Sequence, residues 1–297
     1  MNNKQADIIN PMNGISIILP ARNEAKSLAL LLPRIQTLFP EAEIVVVDDG
    51  SEDNTASICN VPDITYVRLP NSHGNGAAIK AGARVAKGDI FIFMDADGQH
   101  RAEDITGLLN GLEEGYDMVV GSRGKSYNSS MIRYLGNKFY NILASWVTGH
   151  RIIDLTSGFR AINAAKFLDF LNILPNGFSA PTTITMAFFR AGYSVKYLPV
   201  DVKKDVGESH INIFKDGIRF VLIIFRITVL YSPLKIFFPL SVFFFTSGVI
   251  YYIYTYLTQE RFTNMSALLL TTSVLIFLIG LLAEQITFLI YMQSRNK

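Results

Sequence analysis

The sequence predicts an α/β fold with a doubly wound, mostly parallel sheet, followed by an apolar C-terminal tail. Between residues 15 and 120, short apolar runs alternate with stretches of helical spacing, as in such a sheet. Two acidic pairs, Asp48-Asp49 and Asp95-x-Asp97, directly follow apolar runs. Residues 236–257 form an uncharged stretch of 22 positions, which is long enough to cross a bilayer.

The predicted strands are apolar almost throughout, as strands buried on both faces of a parallel sheet are. They are Ile15–Leu19, Ile44–Val47, Ile64–Leu69, Ile90–Met94 and Met118–Val120. Helices are predicted from Asn23, as N-cap, to Leu38 with Pro33 inside, and over Gly76–Ala86 and Ala102–Leu112. An extension adds helices over Met131–Thr148 and Thr182–Ala191 and a strand over Ser194–Val200. Because ligands bind beyond the carboxyl ends of the strands in doubly wound sheets, both acidic pairs lie where a ligand is expected.

The tail predicts a membrane hairpin with spans over residues 236–257 and 267–291. The nine-residue link between them brings both ends of the hairpin to one side. Lys235, Arg295 and Lys297 flank the spans, so this side, the preceding domain and both termini are expected in the cytoplasm. The alternative is a buried hydrophobic hairpin in a soluble protein.

The chain is therefore expected to comprise a catalytic domain over residues 1–205, an interface segment over 206–233 and the hairpin over 234–297. Arg219 and Arg226 interrupt apolar runs in the middle segment, which favours an amphipathic segment lying in the membrane interface. A third span is the alternative, but it would bury both arginines, which is costly.

Composition narrows the class of protein. The net charge of +2 gives no indication of nucleic-acid binding. The single cysteine, Cys59, cannot form an internal disulfide, which fits a reducing compartment. The first twelve residues lack an apolar core, so no cleaved signal peptide is expected.

The segment Asp95-Ala96-Asp97-Gly98-Gln99 predicts a divalent metal site. Side chains two residues apart in an extended strand point the same way, so Asp95, Asp97 and Gln99 would face one point if the strand continued. Hard oxygen ligands suit Mg²⁺ or Mn²⁺, which commonly bridge substrate phosphates. A solvated acidic turn is the alternative.

Two further strand ends carry candidate nucleotide ligands. Asp48 and Asp49 can accept hydrogen bonds from a ribose or a base, although a simple helix-capping turn is the alternative for residues 51–55. Arg22 and Glu24 follow the first strand and are further candidates. His73 and His100 have no zinc spacing with Cys59, so neither is expected to hold a structural metal.

Six ordered motifs together resemble glycosyltransferase family 2 and its polyprenyl-phosphate branch, the dolichyl-phosphate mannose synthase group. The motifs are Pro20-Ala21-Arg22-Asn23-Glu24, Val47-Asp48-Asp49-Gly50-Ser51-x-Asp53-x-Thr55, Asp95-Ala96-Asp97-x-Gln99-His100, Gly121-Ser122-Arg123, Asp154-x-Thr156-Ser157-Gly158-Phe159-Arg160 and Gly207-x-Ser209. With the two membrane helices, the resemblance covers essentially the whole chain.

The resemblance implies a Rossmann-like GT-A fold and inverting transfer of one sugar from a UDP- or GDP-sugar to a polyprenyl phosphate. It places Asp95, Asp97 and Gln99 around Mg²⁺ or Mn²⁺, and Arg123 and Arg133 at phosphates of acceptor or donor. The nucleotide would contact Pro20, Ala21, Arg22, Glu24, Asp48, Asp49 and Asp95. The expected partners are the donor, the lipid acceptor and the bilayer, and homo-oligomers through the membrane helices are left open.

One departure from the family pattern lies near Gly207, where Asp205 and His210 stand in place of basic residues. Lys203 or Lys204 can replace the missing phosphate contact, or the donor preference differs. There are two alternative functions. A processive polysaccharide synthase is disfavoured because Trp146 lacks a Q-x-x-R-W context, whereas a catalytically silent scaffold or binding subunit of a membrane glycosylation complex, which retains the fold, stays open.

Overall fold

A computed structural model describes the chain over residues 14–123, 131–177, 180–202, 225, 228–229 and 231–295. Within these ranges, the side chains of residues 131–135, 137, 291 and 293–295 are not described. The chain divides into two compact units, residues 1–210 and 211–297. Most of the interface segment predicted over residues 206–233, including Arg219 and Arg226, lies outside the described residues.

The first unit alternates strands and helices. Its strands are β1 (Ile15–Ala21), β2 (Glu43–Asp48), β3 (Ile64–Arg68), β4 (Ile90–Phe93), β5 (Met118–Arg123), β6 (Arg160–Asn163) and β7 (Val195–Val200). Its helices are α1 (Ala25–Leu38), α2 (Thr55–Cys59), α3 (Asn75–Val85), α4 (Asp104–Glu113), α5 (Met131–Thr148), α6 (Ala164–Leu168) and α7 (Ala180–Arg190), with a 3₁₀ helix at Leu171–Ile173. The elements predicted from the hydrophobic pattern are present, with ends shifted by a few residues.

The seven strands form one sheet in the order β3-β2-β1-β4-β6-β5-β7. All neighbours are parallel except β6, which runs antiparallel to both β4 and β5. The predicted α/β class is confirmed, but β6 was not predicted. It has only four residues and begins with a buried arginine, so no apolar run marks it in the sequence.

The start of α1 differs from the prediction. Asn23 is not an N-cap, because its φ of 57° is left-handed and its side-chain oxygen accepts a hydrogen bond from the Glu52 amide at 2.8 Å. The helix begins at Ala25 and passes through Pro33 without ending. Its buried face, which includes Leu28 and Ile35, packs into the core and sustains the helix where proline removes one hydrogen bond.

The carboxyl ends of β1, β2 and β4 lie at one edge of the sheet, because these strands are parallel neighbours. β5 is parallel to β7 and ends at Arg123, whereas the antiparallel β6 begins where its neighbours end. The register pairs Phe93 with Arg160 and Val120 with Arg160. The segments after β1, β2, β4 and β5 and the segment before β6 therefore meet at this edge.

The second unit contains two long apolar helices, α8 (Leu234–Gln259) and α9 (Asn264–Arg295). Both are long and apolar enough to cross a membrane, and only 11% and 17% of their most apolar windows are buried. A hairpin in the core of a soluble protein would instead bury most of this surface. The exposed apolar surface therefore favours the membrane hairpin over the soluble alternative.

Candidate functional site

The acidic loop after β4 does not continue the strand. β4 ends at Phe93, and Gly98 has a φ of 73°, a left-handed conformation that favours glycine. The Asp97 carboxylate accepts a hydrogen bond from the Gln99 amide at 3.0 Å, which closes a turn. The strand therefore does not continue to Gln99, which was the condition for aligning Asp95, Asp97 and Gln99 as strand side chains, and a turn carries these residues instead.

Asp95 lies beside Asn75 and Gly158, which come from two other segments. Asn75, at the start of α3, donates its side-chain amide to Asp95 Oδ1 at 3.4 Å. Gly158 lies so close that an added Cβ would be 2.7 Å from Asp95 Oδ2. Burial and the negative charge of Asp97 raise the pKa of Asp95 to about 6, against the opposing effects of Asn75 and nearby arginines.

These residues fit a divalent cation. No group of three or more His, Cys, Asp and Glu side chains suitable for a metal is found in the described ranges. Mg²⁺ sites, however, commonly use one or two carboxylates together with substrate phosphates and water. Asp95 and Asp97 supply two hard oxygen donors whose mutual repulsion a cation would relieve. The donor set therefore suits a metal that also binds the substrate's phosphates.

Asp48, at the end of β2, is completely buried and fully engaged. Its Oδ1 accepts from the Ser51 amide at 2.7 Å, and its Oδ2 accepts from the Tyr66 hydroxyl at 2.6 Å. Arg68 Nε lies 3.8 Å from the same Oδ2. In this structure Asp48 holds together the turn after β2 and the neighbouring strand β3.

Asp49 organises the loop between β3 and α3. Its carboxylate accepts from the Ser72 hydroxyl at 2.8 Å and from the amides of His73 and Gly74 at 2.7 and 2.9 Å. Burial alone would raise the pKa of Asp49, but these hydrogen bonds and the charge of Arg22 outweigh it and lower the pKa below its usual value. Asp49 is therefore an ionised anchor for this loop.

Gly50 permits this close packing. Its φ is 72°, and an added Cβ would lie 2.9 Å from the Ser72 amide nitrogen and 3.0 Å from the Asn71 carbonyl carbon. A side chain at this position would push the loop away from Asp49.

The segment after β1 is fixed against the segment after β2. The Asn23 amide donates to Ser51 Oγ at 2.9 Å, and the Glu24 amide donates to Thr55 Oγ1 at 3.2 Å. Pro20 and Ala21 close β1. Arg22 is exposed beyond them, whereas Glu24 accepts a hydrogen bond from the Ser27 hydroxyl at 3.0 Å. Hydrogen bonds thus connect the segments that follow β1 and β2, and these two segments together form one rim of the site.

Arg123, at the end of β5, forms a bidentate salt bridge with Asp154. Its Nε and Nη2 lie 2.8 and 2.9 Å from the two carboxylate oxygens, and Nη2 also donates to Thr156 Oγ1 at 2.5 Å. Asp154 additionally accepts from the Ser157 amide at 3.1 Å. Burial would raise the pKa of Asp154, but Arg123 and the backbone donors lower it overall. The pair fixes the direction of the guanidinium and the shape of the loop.

The other predicted phosphate ligands have side chains outside the described set. Arg133 lies in the first turn of α5, but its side chain is outside the described set. Lys203, Lys204, Asp205, His210 and the Gly207-x-Ser209 motif also lie outside the described residues.

Asn75, Gly158 and Asp154 contact predicted site residues, although the sequence predicts no role for them. Gly158 and Asp154 belong to one of the six motifs shared with the family, so this motif indicated that they lie near the site. Asn75 follows the glycine-containing bend after β3, but only the fold brings it to Asp95. The fold also brings His100 to a partner that is distant in sequence. Its ring stacks on the ring of Phe159, with 4.8 Å between the ring centroids, and so joins the acidic loop to the segment before β6.

Comparison with protein families gives two matches. Residues 16–170 match the family described as Glycosyl transferase family 2. Residues 232–289 match the family described as GtrB C-terminal hairpin. The two matches fall in the two compact units of the chain.

Curated proteins of similar sequence have names that refer to polyprenol or to undecaprenyl phosphate. Polyprenol monophosphomannose synthase of Mycolicibacterium smegmatis is 30% identical, over 68% of this chain and 82% of that protein. Undecaprenyl-phosphate mannosyltransferase of Micrococcus luteus is 31% identical, over 65% and 85%. Undecaprenyl-phosphate 4-deoxy-4-formamido-L-arabinose transferase of Proteus mirabilis is 36% identical, but the match spans 50% of this chain and about half, 49%, of that protein.

Solved structures share the fold at low identity. Mannosyl-3-phosphoglycerate synthase from Rubrobacter xylanophilus has a TM-score of 0.59 and 20% identity, over 72% of each chain. Glucosyl-3-phosphoglycerate synthase from Mycobacterium tuberculosis, in complex with Mn²⁺, uridine diphosphate and glucosyl-3-phosphoglycerate, has a TM-score of 0.55 and 20% identity, over 71% of this chain and 77% of that one. At this identity the likeness concerns the fold alone.

Proposed function

Because the chain belongs to glycosyl transferase family 2, we propose that it transfers one sugar from a UDP- or GDP-sugar to a polyprenyl phosphate at a membrane. The supporting observation is the combination, in one chain, of an acidic loop at the carboxyl edge of the sheet with an apolar hairpin. The acidic loop suits a metal ion bound to the diphosphate of a donor, and the apolar hairpin suits an acceptor that resides in lipid.

The acidic loop would hold the metal and the donor. Asp95 and Asp97, with Gln99 beside them, are the proposed ligands of Mg²⁺ or Mn²⁺. When bound, the cation would stabilise the negative charge that develops on the departing nucleoside diphosphate. Asn75 donates to the Asp95 carboxylate and the Gly158 backbone lies against it, and both contacts would limit its reorientation when the ion binds.

The rim after β1 and β2 would bind the nucleotide. Its proposed contacts are Pro20, Ala21, Arg22, Glu24, Asp48, Asp49 and Asp95. Asp48 and Asp49 already accept several internal hydrogen bonds, and these bonds fix the rim before a ligand arrives. A preformed rim reduces the entropy lost when the donor binds.

Arg123 and Arg133 would contact phosphate of the acceptor or the donor. The ion pair with Asp154 orients Arg123 at the carboxyl edge of the sheet. The acceptor phosphate is largely ionised at neutral pH, because the second pKa of a phosphate monoester is about 6. It can therefore attack the sugar directly, with inversion and without a dedicated general base.

The hairpin would span the membrane twice, with the catalytic domain and both termini in the cytoplasm. Residues 206–233 are proposed as the amphipathic segment between residues 1–205 and the hairpin over 234–297. Lys235 lies in the first turn of α8 and Arg295 is the last residue of α9, both at this proposed cytoplasmic side.

The test is transfer of labelled sugar to lipid. Membranes containing the full chain, supplied with polyprenyl phosphate and Mn²⁺, are incubated with a panel of labelled UDP- and GDP-sugars. We expect one donor to label a polyprenyl-phosphate lipid, and excess chelator to stop the reaction. Asp97→Asn should reduce the rate by at least about 100-fold, because it removes one proposed metal ligand and its charge.

The same experiment separates the enzyme from a silent scaffold. An exposed substitution far from the rim, Glu41→Gln, is the control and should leave the rate unchanged. Circular dichroism should show that Asp97→Asn remains folded. If no donor labels the lipid, the scaffold is favoured; full activity of Asp97→Asn or of the chelated enzyme would contradict the metal role.

A further inference from the structure

Arg160 is a buried guanidinium without a carboxylate at ion-pair distance among the described residues. It begins β6 and is only 2% exposed. Burial lowers the pKa of Arg160 to about 10. An unpaired buried charge is costly, so its retention calls for a specific set of acceptors.

Those acceptors join two parts of the fold. Nη1 donates to the Pro181 carbonyl at 3.0 Å and to Thr185 Oγ1 at 3.1 Å, both on α7. Nη2 donates to the Ser157 carbonyl, immediately before Gly158. The planar guanidinium therefore ties the segment that precedes β6 to the N-terminal half of α7.

This segment supports the acidic loop at two points. The backbone of Gly158 lies against Asp95, where an added Cβ would be 3.1 Å from Oδ1 and 2.7 Å from Oδ2. The next residue, Phe159, stacks on His100 at the far end of the loop. A shift of residues 157–159 would therefore move both the carboxylate of Asp95 and the end of its loop.

We propose that Arg160 is a positioning residue for the metal site, acting through the Ser157–Gly158 backbone on the orientation of Asp95. The inference rests on the proposed function, since it assumes that Asp95 binds the cation. The buried guanidinium is suited to this position because it donates in one plane to acceptors on both sides. A lysine keeps the charge but cannot bridge the same acceptors with fixed geometry.

Direct Mn²⁺ binding tests the inference without relying on turnover. The full chain in detergent is titrated with Mn²⁺, and free Mn²⁺ is measured by electron paramagnetic resonance. Arg160→Lys should weaken binding about 10–100-fold, the usual effect of losing a group that orients a metal ligand. In the transfer assay, the apparent KM for Mn²⁺ should rise by the same factor while kcat at saturating Mn²⁺ changes less than about twofold.

A gentler pair of variants guards against misfolding of Arg160→Lys. Thr185→Val removes one acceptor of Arg160 and should weaken Mn²⁺ binding by several-fold. Thr182→Val is its matched control, because Thr182 is an equally buried threonine on α7 whose hydroxyl faces Tyr140 at 3.5 Å. We expect Thr182→Val to bind Mn²⁺ as the unmodified protein does, with a similar thermal unfolding temperature.

The outcomes distinguish two failures. If Mn²⁺ binding is absent from the unmodified chain, or is unaffected by Asp97→Asn, the proposed metal site fails and the inference with it. If binding depends on Asp97 but is unchanged in Arg160→Lys and Thr185→Val, only the positioning role is overturned. A lower unfolding temperature with unchanged Mn²⁺ affinity would assign Arg160 a purely structural role.

Discussion

At the scale of single residues, the candidate site combines ionised anchors with one carboxylate that binds protons readily. Asp49 and Asp154 accept several hydrogen bonds, which lower the pKa of each. Asp95 is different, because burial and Asp97 raise its pKa to about 6. The anchors fix the loops, whereas Asp95 is the carboxylate on which a cation would relieve the most repulsion.

This difference predicts a pH dependence of metal binding. Below a pH of about 6 the proton competes with Mn²⁺ for Asp95, so the apparent Kd should rise as pH falls and should level off above about pH 7. The measurement is the Mn²⁺ titration of the full chain between about pH 5 and pH 8. An affinity that stays constant to pH 5, in protein that remains folded, would contradict it.

Without metal, ionisation of the Asp95 carboxylate lowers the stability of the folded state. The folded state binds a proton at Asp95 more tightly than the unfolded state, because its pKa lies above the ordinary value of 3.8. Its contribution to stability is therefore largest at low pH and is lost as pH rises through about 6. Added Mn²⁺ should offset this loss above pH 6 by binding the ionised form.

At the scale of elements, loops rather than strands orient the site. β4 delivers the acidic loop to the edge of the sheet, but a turn at Gly98 sets the direction of Asp97. The antiparallel β6 then brings Gly158 against Asp95. The strands decide where the groups meet, and the turns decide how they face.

The hairpin depends on close packing between α8 and α9. Gly280 of α9 is buried against α8, where an added Cβ would lie 2.6 Å from Phe237 Cβ. Ser241 of α8 also donates its hydroxyl to the Ser273 carbonyl of α9 at 3.0 Å. Small residues at a helix interface allow this approach in membranes, where hydrophobic burial contributes little.

Gly280→Leu should therefore destabilise the hairpin by about 1–3 kcal/mol, because the larger side chain has no space beside Phe237. The unfolding temperature of the full chain in detergent measures the effect. Thr271→Leu is the matched control, because Thr271 is an exposed residue of α9. Equal unfolding temperatures for the two variants would show that the helices do not pack through Gly280.

At the scale of the whole molecule, the chain joins two compact units of contrasting surface. The first unit has an apolar core formed by its sheet and the helices packed on it, whereas the second exposes apolar side chains along most of two helices. This contrast is typical of a water-exposed domain attached to a membrane anchor.

The proposed topology is testable by labelling single cysteines in whole cells. In a Cys59→Ser background, Arg261→Cys in the link between α8 and α9 should react with an impermeant maleimide applied outside the cell. Glu41→Cys on the first unit should react only after lysis, since that unit is proposed to be cytoplasmic. Labelling of Glu41→Cys in intact cells would overturn this orientation.

The sequence alone determined the alternation of strands and helices, the positions of both acidic pairs at strand ends and the two apolar helices. These features follow from local periodicity and composition, which a single segment carries by itself. The family resemblance added the functional class, which the comparisons support.

Only the tertiary structure decided how the site is assembled. Asn75 and Gly158 reach Asp95 from segments 20 and 63 positions away in the sequence, and β6 inserts between β4 and β5. Local patterning cannot specify such contacts, because they depend on which strands pair and in which register. The left-handed backbone of Asn23 and the burial of Arg160 could not be predicted for the same reason, because each is stabilised by partners that only the folded chain supplies.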